Sequence, residues 1–150
     1  MSSLTNRDLA HARGAEQWTA RDLFDILAEL GPLRVISQSG PSTFEAICEV
    51  KHFGISEGML NAITPHYHWH IDLSGLRHVR ARDAVHERSG RQVLFFELRT
   101  SAEAQPFLFI YLHREKNMPF EEDRLRLFTQ VFEELHAGTA IVTTPEGSGA

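Results

Sequence analysis

Cysteine is nearly absent from this chain: Cys48 is the only one among 150 residues. No intramolecular disulfide and no multi-cysteine metal site can form, which fits a reducing, cytoplasmic setting. Positive charge is also scarce. Fifteen Lys and Arg against 20 Asp and Glu give a formal charge of −5, whereas nucleic-acid binders need clustered positive charge. Long apolar runs are missing too. The longest, Phe107–Leu112, falls far short of the roughly 20 residues that span a bilayer. The first 13 residues are polar and lack the apolar core of a signal peptide, so no targeting segment is expected. No G-x-S-x-G, P-loop or G-x-G-x-x-G motif occurs, which removes the commonest nucleophile and nucleotide signatures. With 42% hydrophobic and 23% charged residues, the chain has the composition of one globular domain.

What the chain has in surplus is histidine. It carries nine, and six of them fall between His52 and His86. Charge is also uneven. Leu76–Arg99 holds six arginines against three acids, and Pro119–His136 holds five acids against two arginines. A basic stretch inside an acidic protein suits a small anion better than a DNA duplex.

Hydrophobic spacing predicts a helix first. Thr19 caps it, Asp22 favours its N-terminus, and Leu23, Phe24, Ile26, Leu27 and Leu30 make its apolar face up to Gly31-Pro32. About seven strands follow at 33–38, 43–50, 56–64, 67–73, 76–85, 93–99 and 106–112. Both faces of the last are apolar, so both should be covered. A closing helix begins after Pro119 with an acidic first turn and carries a stripe of Leu125, Phe128, Val131, Phe132 and Leu135, ending at Gly138. The connections are too short for crossover helices. The expected class is α+β, a large, mostly antiparallel sheet with an N-terminal and a C-terminal helix packed on it. Residues 18–138 form the domain, with a flexible start over 1–17 and a flexible tail over 139–150.

In the strand from Tyr67 to Leu73, His66, His68 and His70 point one way while Tyr67, Trp69 and Ile71 point the other. Neighbouring histidines are about 6.6–6.8 Å apart at Cα, close enough for His68 and His70 to share an ion. The outer pair, at about 13 Å, is too far apart. A bare metal would take two of the three and borrow a third ligand elsewhere. The H-x-H pair resembles that of cupins, but Ser74 stands where their glutamate is expected. Equally, all three read as half-exposed strand histidines with no ligand. Cys48 alternates with Phe44, Ala46 and Val50 and reads as a buried packing residue.

The run from His68 onward resembles the haem-utilisation proteins of the ChuX/HutX and HemS type. It carries His70-Ile71, His78-Val79, the paired aromatics of Leu94-Phe95-Phe96, the apolar strand Phe107–Leu112, Arg114 and a closing amphipathic helix. Upstream, the helix and strand over 22–38 match as well, so the likeness covers roughly residues 18–137. It implies a homodimer that carries or delivers haem for iron utilisation, with His70 as an axial ligand candidate; a carrier is favoured over an enzyme, although double-length relatives include haem-degrading proteins and no residue here decides that point. His66, His68, Tyr67 and Trp69 are expected to line the haem site, and Arg80 and Arg82 to meet its propionates. Two departures stand out. Gln38 lies near where some members carry a histidine, and the amino-terminal extension is shortened. Two other readings remain: a metal-dependent enzyme using the histidine strand, and a binder of another small hydrophobic anion.

Overall fold

Thr19 and Asp22 fix the start of the first helix. The Asp22 N–H donates to Thr19 Oγ1 and the Thr19 N–H to Asp22 Oδ2, both at 3.1 Å, a reciprocal capping box. Helix α1 then runs Ala20–Glu29. The computed structural model describes residues 17–142. The strands, in chain order, are β1 Trp18–Thr19, β2 Leu33–Ser39, β3 Ser42–Cys48, β4 Gly54–Ser56, β5 Met59–Ile63, β6 His68–Asp72, β7 His78–Val85, β8 Gln92–Arg99, β9 Leu108–Leu112 and β10 Thr139–Val142. Helix α2, Glu122–Leu135, precedes β10.

Seven strands form one sheet in the order β1-β10-β7-β8-β9-β2-β3, and β4-β5-β6 form a second. Every described pairing is antiparallel except β1 with β10. The α+β expectation of a large, mostly antiparallel sheet with a helix from each end of the chain therefore holds. A single sheet does not.

Four local expectations change. The stretch 56–64 is not one strand. Ser56 pairs with Met59 across a two-residue turn in which Glu57 and Gly58 both have positive φ (53° and 77°), making a β4–β5 hairpin. Thr139–Val142, expected in a tail, pair with β7 and β1 instead. Residues 1–16 and 143–150 of the expected termini lie outside the described residues. On α2 the inward residue near the start is Leu127, fully buried, while Leu125 is exposed. Finally, only one face of β9 is buried. Leu108, Ile110 and Leu112 enter the core, whereas Phe109 and Tyr111 are half-buried under Phe95, whose ring stacks on Tyr111 at 4.5 Å.

The core lies on the inward face of the large sheet. Phe96 of β8 meets Phe128 of α2 edge-on at 5.3 Å. Phe24 of α1 meets Phe53 and Trp69 at 5.0 and 6.1 Å, tying the small sheet to the same core. Arg124 locks the two helices together. Its guanidinium donates to the carbonyls of Leu30, Pro32 and His113, satisfying the end of α1 where Gly31 turns with φ +83°. No helix among the described residues is long and apolar enough to cross a membrane.

Candidate functional site

A cleft of about 720 Å³ opens between β6 and the β2, β3 and β9 end of the large sheet. That volume is within the range of small-molecule and cofactor sites. Inward residues of the large sheet make one wall: Val35, Ala46, Cys48 and Leu108, extended by Phe107 and the exposed ring of Phe44. The other wall is β6 and the turn before it, from His66 to Asp72.

Period-two alternation sends Trp69 and the histidines to opposite faces of β6, yet both line this cleft. The reason is position. β6 pairs only with β5, so it is an edge strand, and the cleft runs along that edge and takes side chains from both faces. Trp69 is anchored from behind by Phe53 at 5.9 Å and by Phe24. His66, His68 and His70 are exposed to the cleft mouth. Thr64 shapes the turn into the strand: its Oγ1 accepts from the His66 and Tyr67 N–H groups and donates to the Tyr67 carbonyl.

Among the three histidines, His70 alone has a side-chain partner that orients its ring. Asn61 lies directly across from it in the β5–β6 register, with Oδ1 2.7 Å from His70 Nδ1. The Asn61 amide is itself held, because its Nδ2 donates to the Met59 carbonyl at 3.3 Å, which turns Oδ1 toward the ring. An acceptor at Nδ1 requires the proton there. The neutral imidazole therefore keeps a lone pair on Nε2, the arrangement that metal-binding histidines use. His68 stands perpendicular to it, with ring centroids 5.9 Å apart.

Tyr67 lines the same cleft. Burial is the main cause that pushes its hydroxyl up to about 12, followed by the hydrogen bond to Cys48. Burial also raises the Cys48 thiol, so at neutral pH the pair is a protonated, packed contact in the cleft wall. Asp72 is the acid of the lining; it is engaged by the Ser74 N–H and hydroxyl at 3.0 and 2.8 Å, which hold its carboxyl below the usual range.

Arg80 and Arg82 do not join this site. They sit on the outward face of β7, where Arg80 Nε donates to the His136 carbonyl and Arg82 pairs with buried Glu97 at 3.3 Å over the Phe95 ring. Strand alternation is the reason: Val79 and Ala81 take the core face, so the arginines between them face away. Nor do the described residues gather three or more His, Cys, Asp or Glu placed to hold a metal ion, so the third ligand of the bare-metal reading is missing among them. The residue that sequence reasoning missed is Asn61. A lone amide inside the apolar strand MLNAI was its only trace.

No family model and no curated protein matches the sequence. Solved structures do match its architecture. A protein of Agrobacterium tumefaciens superposes with a TM-score of 0.62 at 17% identity, covering 74% of this chain and 63% of that one. The haem-binding protein ChuX superposes with a TM-score of 0.65 at 15% identity, covering 76% of this chain and 70% of ChuX. PhuS, a haem-binding protein from Pseudomonas aeruginosa, gives 0.60 at 17% identity, covering 75% of this chain but 33% of PhuS. The chain thus spans less than two thirds of the first of these and a third of the last. At these identities the likeness is one of fold, and the chain has the fold of ChuX and PhuS.

Proposed function

We propose that this chain binds haem and carries it in haem uptake and iron utilisation, with His70 as the axial ligand. One observation carries the reading: an imidazole on the edge strand of a cleft with mainly apolar walls, its Nδ1 2.7 Å from Asn61 Oδ1, which leaves Nε2 as the ligating atom. Iron in a tetrapyrrole needs only one such ligand from the protein, because the macrocycle supplies the other four nitrogens. Trp69, Phe44, Phe107 and Leu108 then cover the ring face, while His66 and His68 lie close enough to take part at the mouth. The described lining holds no arginine, so it would offer the carboxylates of a tetrapyrrole no guanidinium partner. Haem-binding activity in ChuX and PhuS, which share the fold, supports the same assignment.

The carrier works in the cytoplasm as a homodimer. Titrating hemin into the protein gives a stoichiometric shift of the Soret band that weakens in His70→Ala more than in His66→Ala or His68→Ala. A flat titration at micromolar hemin rejects the reading. Saturable binding that none of the three alanine variants alters assigns the cleft to an apolar anion held without iron ligation.

A further inference from the structure

We propose that a second cleft, on the outward side of the large sheet, is a binding site for a small aromatic oxyanion, a ring bearing one carboxylate or phosphate, with Arg91 and Arg114 as its cations. It is separate from the histidine cleft. Residues 34, 36, 45 and 111 line it, and these alternate along β2, β3 and β9 with the residues that line the other. Its volume is about 340 Å³, half that of the histidine cleft and near the lower limit for a ligand site, which excludes a large planar macrocycle and suits a single ring.

The charges in it do not balance. Glu45 is the acid of the lining, and it is engaged by Arg34 at 3.1 Å. Arg114 is positioned without a carboxylate: Nη2 donates to the Gln92 carbonyl at 2.8 Å, and the guanidinium lies 4.0 Å over the Phe120 ring. Arg91 has no side-chain partner among the described residues. Burial, and then the charge of Arg91, hold the Arg114 guanidinium below its ordinary value, so the two cations oppose each other across one space. An anion between them removes that repulsion and gains two charge-assisted hydrogen bonds.

Neutral donors surround the same space. The Ser89 N–H donates to His86 Nδ1 at 3.3 Å, which leaves Nε2 as the ring's remaining donor. Burial first, then Glu97 and Glu45, raise the Tyr111 hydroxyl, which keeps its proton. His113 lies 3.6 Å from Glu115, a pairing that takes effect when the imidazole is protonated. Tyr111 and Phe120 supply aromatic walls for a ring that the charges alone would not select.

The test is an amide-resolved NMR titration of the whole protein with phenyl phosphate and with benzoate, beside inorganic phosphate and phenol. Saturable shifts at Gln92, Tyr111 and Arg114 with one or both aromatic anions are expected, and weaker binding of inorganic phosphate and phenol. The stronger of the two aromatic probes identifies the acid group. Arg91→Gln removes an unpaired side chain in a turn without touching the fold, and it weakens binding about tenfold; Arg114→Gln does at least as much. His70→Ala leaves the affinity unchanged, which keeps the result independent of haem binding. Shifts that never saturate, or wild-type affinity in Arg91→Gln, overturn the proposal.

Discussion

The two clefts are built on the same three strands, β2, β3 and β9, and differ because alternate residues of those strands face opposite ways. Inward come Val35, Ala46, Cys48 and Leu108, and the small sheet closes over them with Trp69 and the histidine edge. Outward come Arg34, Glu45 and Tyr111, and the turn at 86–91 with Arg114 and Phe120 encloses them. One cleft offers apolar area and a single oriented lone pair. The other offers uncompensated positive charge and little volume. A period-two pattern in three strands is thus enough to give one sheet two faces of different chemistry, one apolar and one charged.

The two clefts differ most in what supports them from below. Phe24→Ala takes out a fully buried ring beneath Trp69 and is expected to cost about 3–5 kcal/mol. Urea unfolding reads this, and in the folded fraction hemin affinity falls while phenyl phosphate affinity does not. Arg124→Met acts on the other side. It strips donors from three carbonyls, including that of His113 beside Arg114. About 2–4 kcal/mol of stability is expected to go, together with anion affinity.

Asn61→Leu sharpens the comparison without touching either wall. Losing the acceptor for His70 Nδ1 frees the ring to turn and to change tautomer, so hemin affinity drops about tenfold by titration. Anion binding stays as in the wild type; loss of both would mean that the two clefts are not independent. The smallest effect lies away from both. Burial, then Arg99, lower the His78 pKa below its ordinary 6.5. The unfolded chain therefore binds the proton more readily than the folded one. Stability is complete above 6.5 and declines as the pH falls below it. Denaturation midpoints at about pH 7.5 and about pH 5.5 differ in the wild type and differ less in His78→Gln.

Much of the frame could be read from the residues in order. Thr19 with Asp22, the apolar stripe after them and Gly31 define α1 almost to the residue, because caps and helical spacing are local. Alternation likewise places His70 on a strand edge-to-edge with polar neighbours. The β4–β5 hairpin was hidden because its turn is Glu57-Gly58, and glutamate is a poor marker of left-handed backbone. β1 and β10, of two and four residues, are too short to show any period. The division into two sheets, and the meeting of Asn61 with His70, depend on register between segments, which spacing along one segment does not report. Charge alone points Arg80 and Arg82 toward an anionic ligand. Strand parity turns them outward, and pairing across β7 and β8 sets Arg80 opposite Glu97.

Chemical rescue tests the proposed ligation of iron by His70 Nε2. His70→Gly is expected to lose the hemin spectrum of the wild type, and added imidazole is expected to restore it by entering the space the side chain leaves. A His70→Gly protein that keeps the wild-type Soret band and low-temperature EPR spectrum without imidazole would place the iron on another ligand.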